Sequence, residues 1–201
     1  MNKISLLPLR NANVSLSMHW PVFSPQECAQ ISAQADGSRW QSKLPVGPGN
    51  VSVFPDATEA KHIEFQKLPL GKNAYPLDQI NFGTSQVNSD GWRFELTGIP
   101  ADDMPWLARH KKGESKGIEW QVDLAESFTS SRKLCFIVQL SDSNSYEGGD
   151  VILHNTPAQI EGYRAQGSII VFPSYWLHKV TPVTKGTRQS IVGWMHGHSF
   201  R

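Results

Sequence analysis

Four residues of this 201-residue chain carry the clearest chemistry: Asp123, His178, Arg188 and Ser190. Asp123 closes the run "IEWQVD", in which Ile118, Trp120 and Val122 alternate with Glu119, Gln121 and Asp123. On a strand this alternation puts Gln121 and Asp123 on one face, and Trp120 and Val122 on the other. Two polar side chains turned toward the interior of a small barrel need partners, because burial without them costs free energy. A bound cation would supply one. Asp123 offers a hard anionic oxygen, and His178 in "YWLHKV" offers an imidazole from a later strand. A carboxylate and a histidine are two parts of the facial ligand set that holds non-haem Fe(II) and leaves positions open. Arg188 and Ser190 in "RQS" share a face of the next strand. A guanidinium beside a hydroxyl is a receptor for the carboxylate of a small acid. A metal and a carboxylate receptor in one barrel suggest a chelating keto-acid between them.

The elements that must position these residues divide the chain at about residue 90. "FSPQECAQISAQAD" reads as a helix with Ser24 as N-cap, Pro25 in the first turn and Glu27 completing a capping box. Cys28, Ile31 and Ala35 line its apolar face. Residues 41 to 75 are rich in Pro, Gly and Lys and read as irregular. Leu77, Ile80, Thr84 and Val87 predict a second helix over Pro76 to Val87, which Gly83 weakens. From residue 91 the period becomes two: Trp92, Phe94 and Leu96 alternate with Arg93 and Glu95, and Trp106 and Ala108 with Leu107 and Arg109. "LCFIVQL" is apolar on both faces and reads as a central strand. "DVILH", "SIIVF", "LHKVTPV" and "RQSIVGWM" follow, separated by Gly and Pro. The expectation is helices first, then an eight-strand-like sandwich or barrel, in a single domain over 1–201.

Composition excludes several classes. The 19 basic and 18 acidic residues nearly cancel, and no basic stripe stands out, so nucleic acid is not expected as a partner. No apolar stretch is long enough to span a bilayer and the N-terminus does not resemble a signal peptide, so the expected location is cytoplasmic. Cys28 and Cys135 form no CxxC motif and read as buried thiols. Nothing in the sequence sets the oligomeric state.

The runs "RKLCFIVQLSDSNSYEGGDVIL" and "GSIIVFPSYWLHKVTPVTKGTRQSIVGWMHG" resemble the Fe(II)/2-oxoglutarate-dependent dioxygenases of the prolyl-4-hydroxylase-like, PKHD-type group. The resemblance extends from about residue 90 to the C-terminus, with "VFSPQEC" adding a weaker match. It implies a double-stranded β-helix, a jelly-roll or cupin-like barrel of mainly β, α+β character with N-terminal supporting helices. It implies Fe(II) held by Asp123 and His178, and 2-oxoglutarate as co-substrate anchored by Arg188 with Ser190 helping. The implied reaction is hydroxylation of an aliphatic C–H of an amino acid, peptide or small molecule, with succinate and CO₂ as co-products and no catalytic acid or base.

One position departs from the family pattern. The first residue of H-x-D is Gln121, which offers only a neutral amide oxygen to a metal. Three readings stay open: Gln121 ligates iron, Gln121 hydrogen-bonds from outside the coordination sphere, or the site has decayed and the fold is a binding module. His110 stands where relatives often carry Tyr, and Cys135 where many have Ser. His110 or His154 could supply the missing nitrogen, although a structural role suits a lone strand histidine better. His196 and His198 read as a surface tail, and Gly148–Gly149 as a turn entering a strand rather than a phosphate loop. Trp120 and Trp176 read as core residues, one of which could shape the substrate mouth. "ARHKKGESKG" reads as a solvated hairpin turn. His19 and His62 have no chemical context.

Overall fold

The computed structural model describes residues 18–35, 37–42, 63–113, 117–154 and 163–199. It is built on two facing sheets. The larger runs β1 (Met18–Pro21), β9 (Ser168–Pro173), β6 (Arg132–Gln139), β11 (Val183–Gly197), β4 (Trp106–Lys111) and β2 (Ile63–Lys67), with β3 (Leu96–Gly98) and β7 (Tyr146–Gly148) also on β11. The smaller runs β5 (Ile118–Gln121), β10 (His178–Val180) and β8 (Val151–Leu153). The described pairings are antiparallel, and the two sheets form a double-stranded β-helix.

Alternation along the large sheet builds two cores. Cys135 and Ile137, Ile170 and Phe172, and Val192 and Trp194 turn into the barrel and meet Val151, Leu153 and Val180 of the small sheet. Leu134, Phe136 and Val138, Ile169 and Val171, and Ile191 and Met195 turn the other way. There they bury Cys28 and Ile31 of α1 (Pro25–Ala33) and Ile80 and Val87 of α2 (Leu77–Asp90). The large sheet is covered on both faces, which explains why β6 is buried throughout and apolar from Leu134 to Val138. The capping box at Ser24 forms as expected: Ser24 N–H donates to Glu27 Oε2 at 2.7 Å, and Glu27 N–H donates to Ser24 Oγ at 3.3 Å.

Four expectations are corrected. β1 and β2 belong to the N-terminal half, so that half supplies strands as well as helices. β2 lies inside the stretch read as irregular; it is an edge strand with Ile63 and Phe65 facing the barrel. Residues 92–95 keep the expected alternation but pair with a helix end, because the Asn88 carboxamide bonds both Phe94 N–H (2.9 Å) and Phe94 C=O (2.8 Å). The 108–117 segment is not a hairpin, since β4 pairs with β2 and β11 while β5 pairs with β10. It crosses from one sheet to the other, and Gly117 ends it at φ +79 where a Cβ would lie 2.1 Å from Val180 O. Residues 43–62 and 114–116, and with them His62, lie outside the described residues. No helix among the described residues is long and apolar enough to cross a membrane.

Candidate active site

Five elements converge on one cavity inside the barrel. β5 contributes Gln121, and the bend after it contributes Asp123. β10 contributes His178, directly opposite Gln121 in the ladder. β11 contributes Arg188 and Ser190, β4 contributes His110, and β6 contributes Cys135. Phe65, Ile137, Val180 and Val192 make much of the apolar wall. The cavity has a volume of about 400 Å³, including its open mouth. All six polar side chains named here are buried, so the alternation read from the sequence puts the right ones inside.

At one end, Gln121, Asp123 and His178 present donors with nothing to receive them. Trp176 C=O lies 2.9 Å from His178 Nδ1. A carbonyl only accepts, so Nδ1 carries a proton and Nε2 is the ring nitrogen turned to the cavity. Nε2 faces Asp123 Oδ2 at 3.5 Å. Asp123 Oδ2 has no hydrogen-bond partner, nor has Gln121 Oε1. The Gln121 amide is oriented by Nε2, which donates to Asp123 Oδ1 at 3.4 Å. An imidazole nitrogen, a carboxylate oxygen and an amide oxygen, buried together, suit a divalent first-row metal. Cys135 borders the same group, and burial together with the Asp123 charge pushes its thiol well above the ordinary range.

At the other end, Arg188 is a buried cation. Its Nε donates to Gln139 Oε1 at 3.1 Å, and its Nη2 has no partner. Burial pulls the guanidinium below its ordinary value, and Tyr146 and Tyr163 beside it only partly offset this. No carboxylate pairs with it among the described residues, so the pocket lacks the anion that a buried guanidinium demands. His110 faces Arg188 across the ladder. Burial first, and then the Arg188 charge, hold its imidazole down to about 3, so it is neutral. Gly149 makes room here: at φ +68, a Cβ would stand 2.8 Å from Arg188 Cδ.

Other expectations for this site change. Trp120 is neither core nor cavity wall. It is 39% exposed on the outer face of the small sheet, edge-on to His154 with ring centroids 5.7 Å apart, and Lys179 Nζ lies 4.9 Å from its ring. His154 is therefore outside the barrel. No third His, Cys, Asp or Glu joins Asp123 and His178 in a metal-holding group among the described residues, so neither His154 nor His110 replaces the missing nitrogen. Trp176 is partly buried against the barrel core. His198 is exposed, but His196 is no tail: it is buried on β11, with Nε2 2.9 Å from Asp103 Oδ2. Sequence reasoning missed Asp103, Arg132, Gln139 and Ser174. The spacing to read was that of Gln139, which shares the inward parity of Cys135 and Ile137.

Comparison with known proteins bears on the family and the fold. The 2OG-Fe(II) oxygenase superfamily model matches residues 105–196. A PKHD-type hydroxylase of Shewanella oneidensis is 36% identical over 190 residues, covering 87% of this chain and 75% of the relative. A PKHD-type hydroxylase of Synechococcus sp. is 38% identical over 93 residues, but the match covers 46% of this chain and only 41% of that protein. In fold, the chain is similar to the crystal structure of a viral collagen prolyl hydroxylase from Paramecium Bursaria Chlorella virus-1 in its 2OG complex. The TM-score is 0.63 at 15% identity, with 91% of this chain and 97% of that one covered. With a shared fold, a relative similar over most of its length and a buried donor set on the expected strands, this chain belongs to the PKHD-type group of the 2OG-Fe(II) oxygenase superfamily.

Proposed function

We propose that the chain is an Fe(II)/2-oxoglutarate-dependent oxygenase that hydroxylates an aliphatic C–H of an amino-acid, peptide or small-molecule substrate. The observation that carries this reading is the buried cluster in which His178 Nε2 lies 3.5 Å from Asp123 Oδ2, with neither Asp123 Oδ2 nor Gln121 Oε1 in a hydrogen bond. Asp123, His178 and Gln121 would hold the iron, with Gln121 standing in the position where H-x-D has its first His. Iron and 2-oxoglutarate together supply the oxygen-activating chemistry when bound.

The chain's own residues do the rest by position and charge. Trp176 C=O fixes the His178 tautomer so that Nε2 is free to ligate. Gln121 Nε2 engages Asp123 Oδ1 and leaves Oδ2 for the metal. Arg188, which no carboxylate pairs among the described residues, takes the distal carboxylate of 2-oxoglutarate, and Ser190 adds a hydroxyl on the same strand face. Neutral His110 supports that anion without competing for it. The apolar walls exclude bulk water, which strengthens the charge pairing within.

The test is anaerobic titration of the protein with Fe(II) and 2-oxoglutarate, followed by exposure to O₂ and detection of succinate. Stoichiometric iron uptake and succinate release are expected. Absence of iron binding at saturating 2-oxoglutarate would sink the reading in favour of a non-catalytic binding module.

A further inference from the structure

Behind the candidate metal site lies a buried ionic cluster, none of whose members lines the cavity itself. Arg132, at the start of β6, donates from Nε to Asp103 Oδ2 (2.7 Å) and from Nη2 to Asp103 Oδ1 (2.9 Å). His196 Nε2 meets the same carboxylate at 2.9 Å, and its Nδ1 lies 2.8 Å from Ser131 Oγ. Burial opposes the Asp103 charge, but the bonds from His196 and Arg132 outweigh it and hold the carboxyl below its ordinary range. The guanidinium lies 3.5 Å from the centre of the Trp194 ring. All three charged or polar members are buried.

A further bond of the guanidinium leads to the site: Nη1 donates to the main-chain carbonyl of Asp123 at 3.2 Å. The Asp123 N–H donates to Ser174 C=O at 2.8 Å. The Ser174 hydroxyl donates back to the Arg132 main-chain carbonyl at 2.7 Å. Asp123, Arg132 and Ser174 thus close a ring of hydrogen bonds around the peptide groups on both sides of Asp123 Cα. Asp123 needs such a hold because β5 ends at Gln121, so no ladder fixes its backbone. Ser174 also opens the turn whose Trp176 carbonyl orients His178, so one short segment sets both side chains.

We propose that Asp103, Arg132 and Ser174 are positioning residues for the metal site, with the Asp103–Arg132 pair aiming Arg132 at the Asp123 carbonyl. This rests on the functional reading given above. A buried ion pair is a weak source of stability, since well-packed apolar replacements often serve as well. Its distinguishing effect here is to fix the direction of the Asp123 carboxylate.

The experiment uses Co(II) as a spectroscopic probe, titrated anaerobically into full-length wild type, S174A, R132K and D103N, with thermal unfolding of each metal-free protein alongside. Wild type is expected to bind Co(II) with visible d–d bands. The folded variants are expected to bind about tenfold or more weakly, as loss of groups that orient ligands typically does, and with shifted bands. Folded variants with wild-type affinity and an unchanged spectrum overturn the proposal. S174A removes a single neutral hydrogen bond and decides the matter should the two charge variants fail to fold. Wild type that takes up no Co(II) overturns the functional reading itself, and this proposal with it.

Discussion

His110 and Arg188 stand directly opposite each other across the ladder between β4 and β11, both buried, and only Arg188 is charged. The imidazole is held to about 3 from an ordinary 6.5, by burial first and then by the Arg188 charge. The unfolded chain therefore binds a proton that the folded chain refuses. Stability is full above about pH 6.5 and is lost as pH falls toward 3. Between pH 7 and pH 5 the loss amounts to about 2 kcal/mol. His110→Gln should remove that part of the acid sensitivity. Urea unfolding of both proteins at the two pH values measures it, and equal slopes would refute the assignment.

Arg188 leads to a prediction in which stability and binding separate. Because the buried guanidinium has no anionic partner among the described residues, Arg188→Met should cost the ligand-free fold little, within about 1 kcal/mol. The same change should weaken 2-oxoglutarate binding by about 100-fold or more, since a buried charge-assisted pair is lost. Calorimetric titration with 2-oxoglutarate, paired with denaturant unfolding, reads both quantities. A large loss of stability with unchanged binding would place the anion elsewhere.

Gly149 tests how tightly the anion end is built. At φ +68 an alanine is strained, and its methyl would press within 2.8 Å of Arg188 Cδ and 3.1 Å of Val183 Cγ2. Gly149→Ala should cost about 1–3 kcal/mol of stability from strain and crowding. It should also weaken 2-oxoglutarate binding, because the carbon under pressure belongs to Arg188, the residue proposed to hold that anion. Alanine at Gly37, where nothing lies within 4 Å of a Cβ, is the control and should do neither.

The parts of the site that the sequence made legible are those governed by parity. Gln121 with Asp123 and Arg188 with Ser190 face inward because residues two apart on a strand share a face. What stayed hidden depends on contacts between distant segments. Trp120 has the parity of an outward residue, and aromatic character alone made it look like core; the small sheet leaves that face partly solvated, where Lys179 and His154 cover the ring. His196 lies near the chain end and reads as tail, but Asp103, 93 residues away, draws it into the interior. β2 is masked by Pro- and Gly-rich surroundings and takes its extended form from pairing with β4.

Gln121 gives the sharpest prediction, because its amide does two things at once. Oε1 is buried without a hydrogen-bond partner beside Asp123 and His178, while Nε2 donates to Asp123 Oδ1 at 3.4 Å. An imidazole at this position would offer a better σ-donor to a first-row metal. Gln121→His should therefore tighten Fe(II) binding by about tenfold or more, equivalent to at least roughly 1.4 kcal/mol. The gain would come with loss of the amide bond that orients Asp123, so native hydroxylation need not rise with affinity. Gln121→Ala removes both contributions and should weaken metal binding below wild type. Anaerobic Fe(II) titration of the three proteins orders them His, Gln, Ala if Gln121 ligates. Equal affinity for Gln and Ala would show instead that Gln121 serves the site only through Asp123 or not at all.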